Sequence, residues 1–173
     1  ALYRAAGVLV PQSYAVQRDS GLYRLSRYIV GTEVRNFPRL MEDEKMIFRH
    51  TYAEGLCMDL LLDATDMPGM QGRNMIATKE SSLAMRIDNA RCLRHARRDA
   101  PGEFSHTVDL RRLERCPAFA MIMAGDPRPS LRHHLHRSVL AVQARIPDVI
   151  ALAPAEIRDI LADRWRQIAT ADL

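Results

Sequence analysis

The residues best suited to holding an anion lie close together in this sequence: Arg91, Arg94, Arg97 and Arg98, with Arg86 a little earlier and Asp88 the one acid between Arg86 and Arg98. On a helix, Arg91, Arg94 and Arg98 stand at i, i+3 and i+7, a single face roughly 10 Å long at ~1.5 Å rise per residue. Arg97 and His95 flank that face. Guanidinium groups match phosphate and carboxylate in a planar, two-bond geometry. The pattern therefore points to backbone contact with nucleic acid, or to an acidic protein surface, with a salt-dependent affinity. No aromatic residue interleaves the cluster, so stacking on single-stranded bases is not indicated. An ordinary solvated helix face would carry the same residues.

Three smaller constellations have a plain helix-surface role beside a chemical one. His133 and His136, at i, i+3, could face one metal, but no His-Glu-x-x-His or Cys-x-x-Cys accompanies them, and no metal site is expected. Asp59, Asp63 and Asp66 at i, i+4 and i+7 could hold magnesium, yet no second carboxylate row exists and a solvated acidic face is the expectation. His50 and Glu54 at i, i+4 could pair a base with an orienting carboxylate, and read first as a surface pair. Phosphate-cradling glycine loops and the Gly-x-Ser-x-Gly elbow are missing, so no cofactor or catalytic residue is assigned.

With 173 residues, 47% of them hydrophobic and 27% charged, the chain is long and apolar enough for one globular domain over 1–173. Removing the stretch Arg86 to Arg98 leaves 20 basic and 20 acidic residues of the original 25 and 21, so the formal net charge of +4 resides in that stretch. Of the 25 basic residues all but Lys45 and Lys79 are Arg, a bias that a GC-rich genome would also produce. Cys57, Cys92 and Cys116 are odd in number and widely spaced, which argues for reduced thiols. The longest apolar run, Pro117 to Gly125, is far short of a membrane span, and no basic-then-apolar leader opens the chain. A soluble, cytoplasmic protein without membrane contact is expected, and an Ala1 start suits a processed form or an excised piece.

These residues must be positioned by helices for the most part. Pro154 and Glu156 open an amphipathic helix with Ile157, Ile160, Leu161, Trp165 and Ile168 on its apolar stripe. Ser130 is a fitting N-cap for a helix with Leu131, Leu135, Val139 and Val142 inward, and Pro147 predicts a stop after Ile146. Thr78 to about Arg98 reads as a helix. Between Pro38 and Ala64 apolar residues on several faces predict a buried helix or two helices broken near Gly55, the alternative being helix then strand over Gly55 to Asp63. Thr107 to Cys116 and Ala118 to Ala124 read as short helices separated by Pro117. Ser13 to Gln17 and Leu22 to Val30 fit a hairpin turning at Arg18-Asp19-Ser20-Gly21, while Leu22, Leu25 and Ile29 fit, as preferred, a helix capped by Ser20 and closed by Gly31.

One stretch, Leu22-Tyr23-Arg24-Leu25-Ser26-Arg27-Tyr28, resembles the Leu-Ser-Arg-aromatic strand of acyl-homoserine-lactone synthases, with Arg24 where that family has Glu. The resemblance covers fewer than ten residues and the remainder of the chain does not follow it, so no family is assigned. The expected fold is mainly α, a single compact domain of about five to seven helices with a possible short N-terminal β-hairpin. The expected function is a non-catalytic helical binding or regulatory protein whose Arg91, Arg94, Arg97, Arg98 and Arg86 meet an anionic partner, nucleic acid first. Two alternatives stand beside it. One is a structural or assembly component that packs against copies of itself, as a homo-oligomer, or against a larger partner through Met-rich helices such as the one holding Met121 and Met123. The other is a small α/β acyl-transfer enzyme, which requires strands at 8–30 and 55–63.

Overall fold

The computed structural model describes residues 1–18, 21–64, 67, 72–87, 108, 116–126 and 131–171. Among them are seven α-helices, a two-stranded hairpin and a three-stranded antiparallel sheet, so the fold is mainly α as expected. Helix α1 (Leu2–Ala5) is followed by the hairpin β1 (Ser13–Arg18) and β2 (Gly21–Ser26). Strand β3 (Gly31–Glu33) leads through a 3-10 turn over Val34–Arg39 into α2 (Glu42–Glu54) and α3 (Leu56–Leu61). Strands β4 (Met75–Thr78) and β5 (Ala84–Arg86) complete the sheet in the order β3-β4-β5. Then come α4 (Pro117–Met123), α5 (Leu131–Val142), α6 (Ile146–Leu152) and α7 (Ala155–Thr170).

Helix α2 is the hub. Its first turn carries Glu42, Asp43 and Glu44, which suit the positive end of the helix dipole, and the Glu44 carboxylate accepts from the Met41 backbone N–H at 2.8 Å. It packs against α3, α4, α5 and β5. Phe37, Phe48, Tyr52 and Phe119 form a chain of ring contacts with centroids 5.5, 6.3 and 6.2 Å apart, running from the 3-10 turn through α2 to α4. Gly55 separates α2 from α3, and every residue of the short α3 is buried, which fits the multi-faced apolar pattern there. In α5, Leu135, Val139 and Val142 are buried, and in α7 Ile157, Ile160, Leu161 and Ile168 are buried, as their spacing predicts.

Several expectations are corrected. The helix preferred after Ser20 is instead strand β2 of a hairpin over residues 13–26, paired from Ser13↔Ser26 to Arg18↔Gly21, with Gly21 at φ +135°. Aromatic and branched residues such as Tyr14 and Val16 favour a strand, and cross-strand pairing satisfies the backbone groups that a single-segment reading assigns to a helix. The start of the predicted helix from Thr78 is instead the β4–β5 hairpin. The Thr78 hydroxyl that suggested a cap accepts from Leu83 N–H across the loop at 3.0 Å, and Ser82 takes the left-handed conformation that closes it. The rest of that predicted helix, 88–98, lies outside the described residues, as does most of 107–115. Pro147 does not end a helix: α5 stops at Val142, a 3-10 turn covers Gln143–Arg145, and Pro147 sits in the first turn of α6, where its missing N–H is harmless. Pro117 likewise opens α4. Residues 56–61 are helical, so the strand that the α/β acyl-transfer alternative requires at 55–63 is a helix instead.

Candidate functional site

Arg86 is not on an outward helix face. It ends β5 with its side chain 1% exposed, and its guanidinium grips the Asp59 carboxylate of α3 with Nε to Oδ1 at 2.7 Å and Nη2 to Oδ2 at 2.6 Å. It therefore leaves the set of residues offered to an external anion. Asp59 is likewise buried rather than part of a solvated acidic row; Asp63 ends that helix at φ +51°, and Asp66 lies outside the described residues.

The pair is a junction of four elements. Tyr3 of α1 donates its hydroxyl to Asp59 Oδ1 at 2.9 Å, and Arg86 Nη2 also donates to the Tyr52 carbonyl of α2 at 3.2 Å. The guanidinium carbon lies 5.9 Å from the Tyr3 ring centre and 5.6 Å from that of Tyr52. Gly55 makes the approach feasible, since a Cβ there would stand 2.5 Å from the guanidinium. Burial pushes the Arg86 pKa down, but the Asp59 charge and hydrogen bonds raise it further, leaving it above the ordinary value. The Tyr52 phenol is raised well above its usual value by burial first and by the Asp59 charge second. Both Asp59 oxygens and the guanidinium are engaged inside the core, so this cluster fastens elements together and exposes no reacting atom.

Other arginines are committed to helix ends in the same way. The last carbonyls of a helix lack intrahelical partners and carry partial negative charge, which suits a guanidinium. Arg145 donates to Ala6 O after α1, Arg164 to Leu60 O and Leu61 O at the end of α3, Arg49 to Ile122 O and Ala124 O around the end of α4, and Arg158 to Ala151 O and Ala153 O at the end of α6. Arg86 does the same for α2 through Tyr52 O. Five helices are thus capped by arginines remote from the capped turn or just beyond it. This gives part of the Arg excess a structural role alongside any codon bias.

His50 and Glu54 do meet, Nε2 to Oε1 at 3.2 Å, on the partly exposed surface of α2, while Arg137 of α5 faces His50 Nδ1 at 2.9 Å. A guanidinium can only donate, so Nδ1 accepts and the imidazole proton sits on Nε2, directed at Glu54. Both ring nitrogens are occupied, and the trio ties α2 to α5 rather than holding a free base. His134 is buried with Nε2 3.8 Å from Asp126 Oδ2. Among the described residues no group of three or more His, Cys, Asp or Glu is placed to hold a metal, and His133 and His136 are not joined by a third ligand. Cys57 is buried, and burial pushes its thiol up to about 12, so it is inert at neutral pH.

A cleft of about 460 Å³ opens above the junction, where the turn after α1, the α2–α3 break, the start of β5 and the end of α5 come together. Val8, Leu83, Ala84 and Val142 give it apolar walls, and Thr51, Glu54 and Arg145 are its polar members. Sequence reasoning did not find this cleft, nor the Asp59–Arg86 pair. A signal for the pair was present: a lone Asp inside Leu56-Cys57-Met58-Asp59-Leu60-Leu61-Leu62 and a lone Arg inside Leu83-Ala84-Met85-Arg86-Ile87 are charges in apolar runs, which must meet a partner when buried. Arg91, Arg94, Arg97 and Arg98 lie outside the described residues. No protein-family model, curated protein or solved structure matches the chain.

Proposed function

We propose that this chain is a non-catalytic helical binding or regulatory protein that offers Arg91, Arg94, Arg97 and Arg98 to an anionic partner, with nucleic acid as that partner. The observation that carries the reading is where the charge remains once the core is accounted for. Burial of Asp59 against Arg86 removes one charge of each sign, which leaves 24 basic and 20 acidic residues. The stretch 87–98 carries four arginines and one acid, Asp88, which leaves 20 basic and 19 acidic residues elsewhere, so three of the four excess charges fall in that stretch. Arg49, Arg158 and Arg164 are occupied by helix carbonyls, which strengthens the contrast. Four arginines within eight positions of the sequence suit phosphate oxygens on neighbouring nucleotides, and each contact made releases condensed counterions.

Fluorescence anisotropy with short single- and double-stranded nucleic acids at low and near-physiological salt tests this directly. The expected result is binding that weakens steeply with salt, and a flatter slope in the triple variant Arg91→Ala, Arg94→Ala, Arg98→Ala. Affinity and slope unchanged in the folded variant would overturn the proposal.

A second reading, self-assembly, draws on exposed apolar residues at the start of α2: Met41 and Met46 are 64% and 61% exposed, with Ile47 beside them. Light scattering on the same samples checks it, and a monomeric mass at high concentration removes it.

A further inference from the structure

The cleft above the Asp59–Arg86 junction has opposite charges on its lining and apolar walls between. We propose that it binds a small zwitterion with an apolar body, the ammonium held by Glu54 and the carboxylate by Arg145. This is independent of the nucleic-acid reading, because none of the four arginines of 91–98 takes part.

Each charged group is positioned by the fold and keeps bonding capacity. Among the described residues the Glu54 carboxylate meets only His50, through Oε1. Its Oε2 has no other partner among the described residues and can accept from an ammonium. Arg145 lies across Gly7, whose left-handed φ of +78° and missing side chain make room for it; a Cβ there would fall 1.6 Å from Nη1. Its Nη1 donates to Ala6 O at 3.1 Å, which anchors the group, and among the described residues Nε and Nη2 have no other acceptor. Thr51, by contrast, is used internally: its hydroxyl bonds to Ile47 O at 3.0 Å and accepts from Ala84 N–H at 2.9 Å. The recognition chemistry therefore reduces to one anion, one cation and the apolar surface of Val8, Leu83 and Val142. A volume of about 460 Å³ is within the range of small-molecule sites. Charge-assisted bonds at both ends select a ligand that bears both charges over one that bears either alone.

Isothermal titration of the full chain with L-leucine and with L-alanyl-L-leucine, which differ in the spacing of their charges, tests the proposal. Leucinamide, which lacks the carboxylate, and 4-methylpentanoate, which lacks the ammonium, serve as controls. Saturable binding of at least one zwitterion is expected, with affinity at least about tenfold weaker for both controls and for Glu54→Gln and Arg145→Gln. Should Arg145→Gln fail to fold, Glu54→Gln on the partly exposed face of α2 and the two controls still decide the matter. Neither zwitterion binding at up to about 10 mM would overturn it, as would controls that bind equally well or a folded Glu54→Gln that binds unchanged.

Discussion

Arg86 and Asp59, 27 positions apart in the chain, meet as a two-bond ion pair in which each side chain is 1% exposed. Through Tyr3 and the Tyr52 carbonyl the same pair reaches α1 and α2 as well as α3 and β5. Burial of two charges has a desolvation cost that their attraction offsets only when the geometry is good and further hydrogen bonds engage the pair; here the contact is made by two bonds, and Tyr3 and the Tyr52 carbonyl add one each. The pair thereby makes the docking of these four elements mutually dependent.

Asp59→Ala is expected to destabilise the fold by about 3 to 5 kcal/mol, because it strands a buried guanidinium. The double variant Asp59→Leu, Arg86→Met is expected to lose less than either single change, since it removes both charges together. Urea unfolding followed by circular dichroism measures all three. A double variant less stable than Asp59→Ala would show that the pair contributes more than mutual neutralisation.

Gly55→Ala should cost about 1 to 3 kcal/mol by overpacking, as its Cβ would press on the Arg86 guanidinium at 2.5 Å. The backbone there has an ordinary negative φ of −97°, so strain in the main chain is not the cause. The cost should shrink when Arg86 is already Met, and the coupling between the two sites is read from a double-mutant cycle in urea. Purely additive effects would place the clash elsewhere.

The helix-capping arginines should differ by burial. Arg164, 2% exposed, donates to Leu60 O and Leu61 O, and Arg164→Met should cost about 2 to 3 kcal/mol by leaving those carbonyls buried without it. Arg158 caps α6 from an exposed position, and Arg158→Met should cost less than about 1 kcal/mol because water replaces it. Thermal unfolding of the two variants side by side gives the order.

Burial raises the Cys57 thiol from about 9 to about 12, so the folded protein retains a proton that the unfolded chain releases. Stability is then full below pH 9 and falls as pH climbs from about 9 towards 12, the Tyr52 phenol adding to the same trend. Iodoacetamide at pH 8 is accordingly expected to spare Cys57 in the native protein and label the partly exposed Cys116, with Cys57 labelled only after denaturation. Mass spectrometry of peptides reads both sites, and native labelling of Cys57 at a rate matching Cys116 would contradict its seclusion.

What the sequence determined by itself was whatever a single segment can specify. The stripe Ile157, Ile160, Leu161 and Ile168 made α7 legible, Leu135, Val139 and Val142 made α5 legible, and Gly55 marked the break between α2 and α3. Period 3.6 in apolar residues already contains the reason such a helix packs. Only tertiary structure decided the rest, because it depends on which segments meet. Ser13–Ser26 is a hairpin since each half finds its hydrogen bonds in the other, and Thr78 ends a strand because β5 lies opposite β4. The same holds for charge: Arg86 belongs by spacing to the basic cluster that follows it, yet Asp59 across the core turns it inward, as an isolated charge could not be buried there. The cleft of Glu54 and Arg145 was least legible of all, since its walls come from four elements between Ala6 and Arg145 and no local pattern records their convergence.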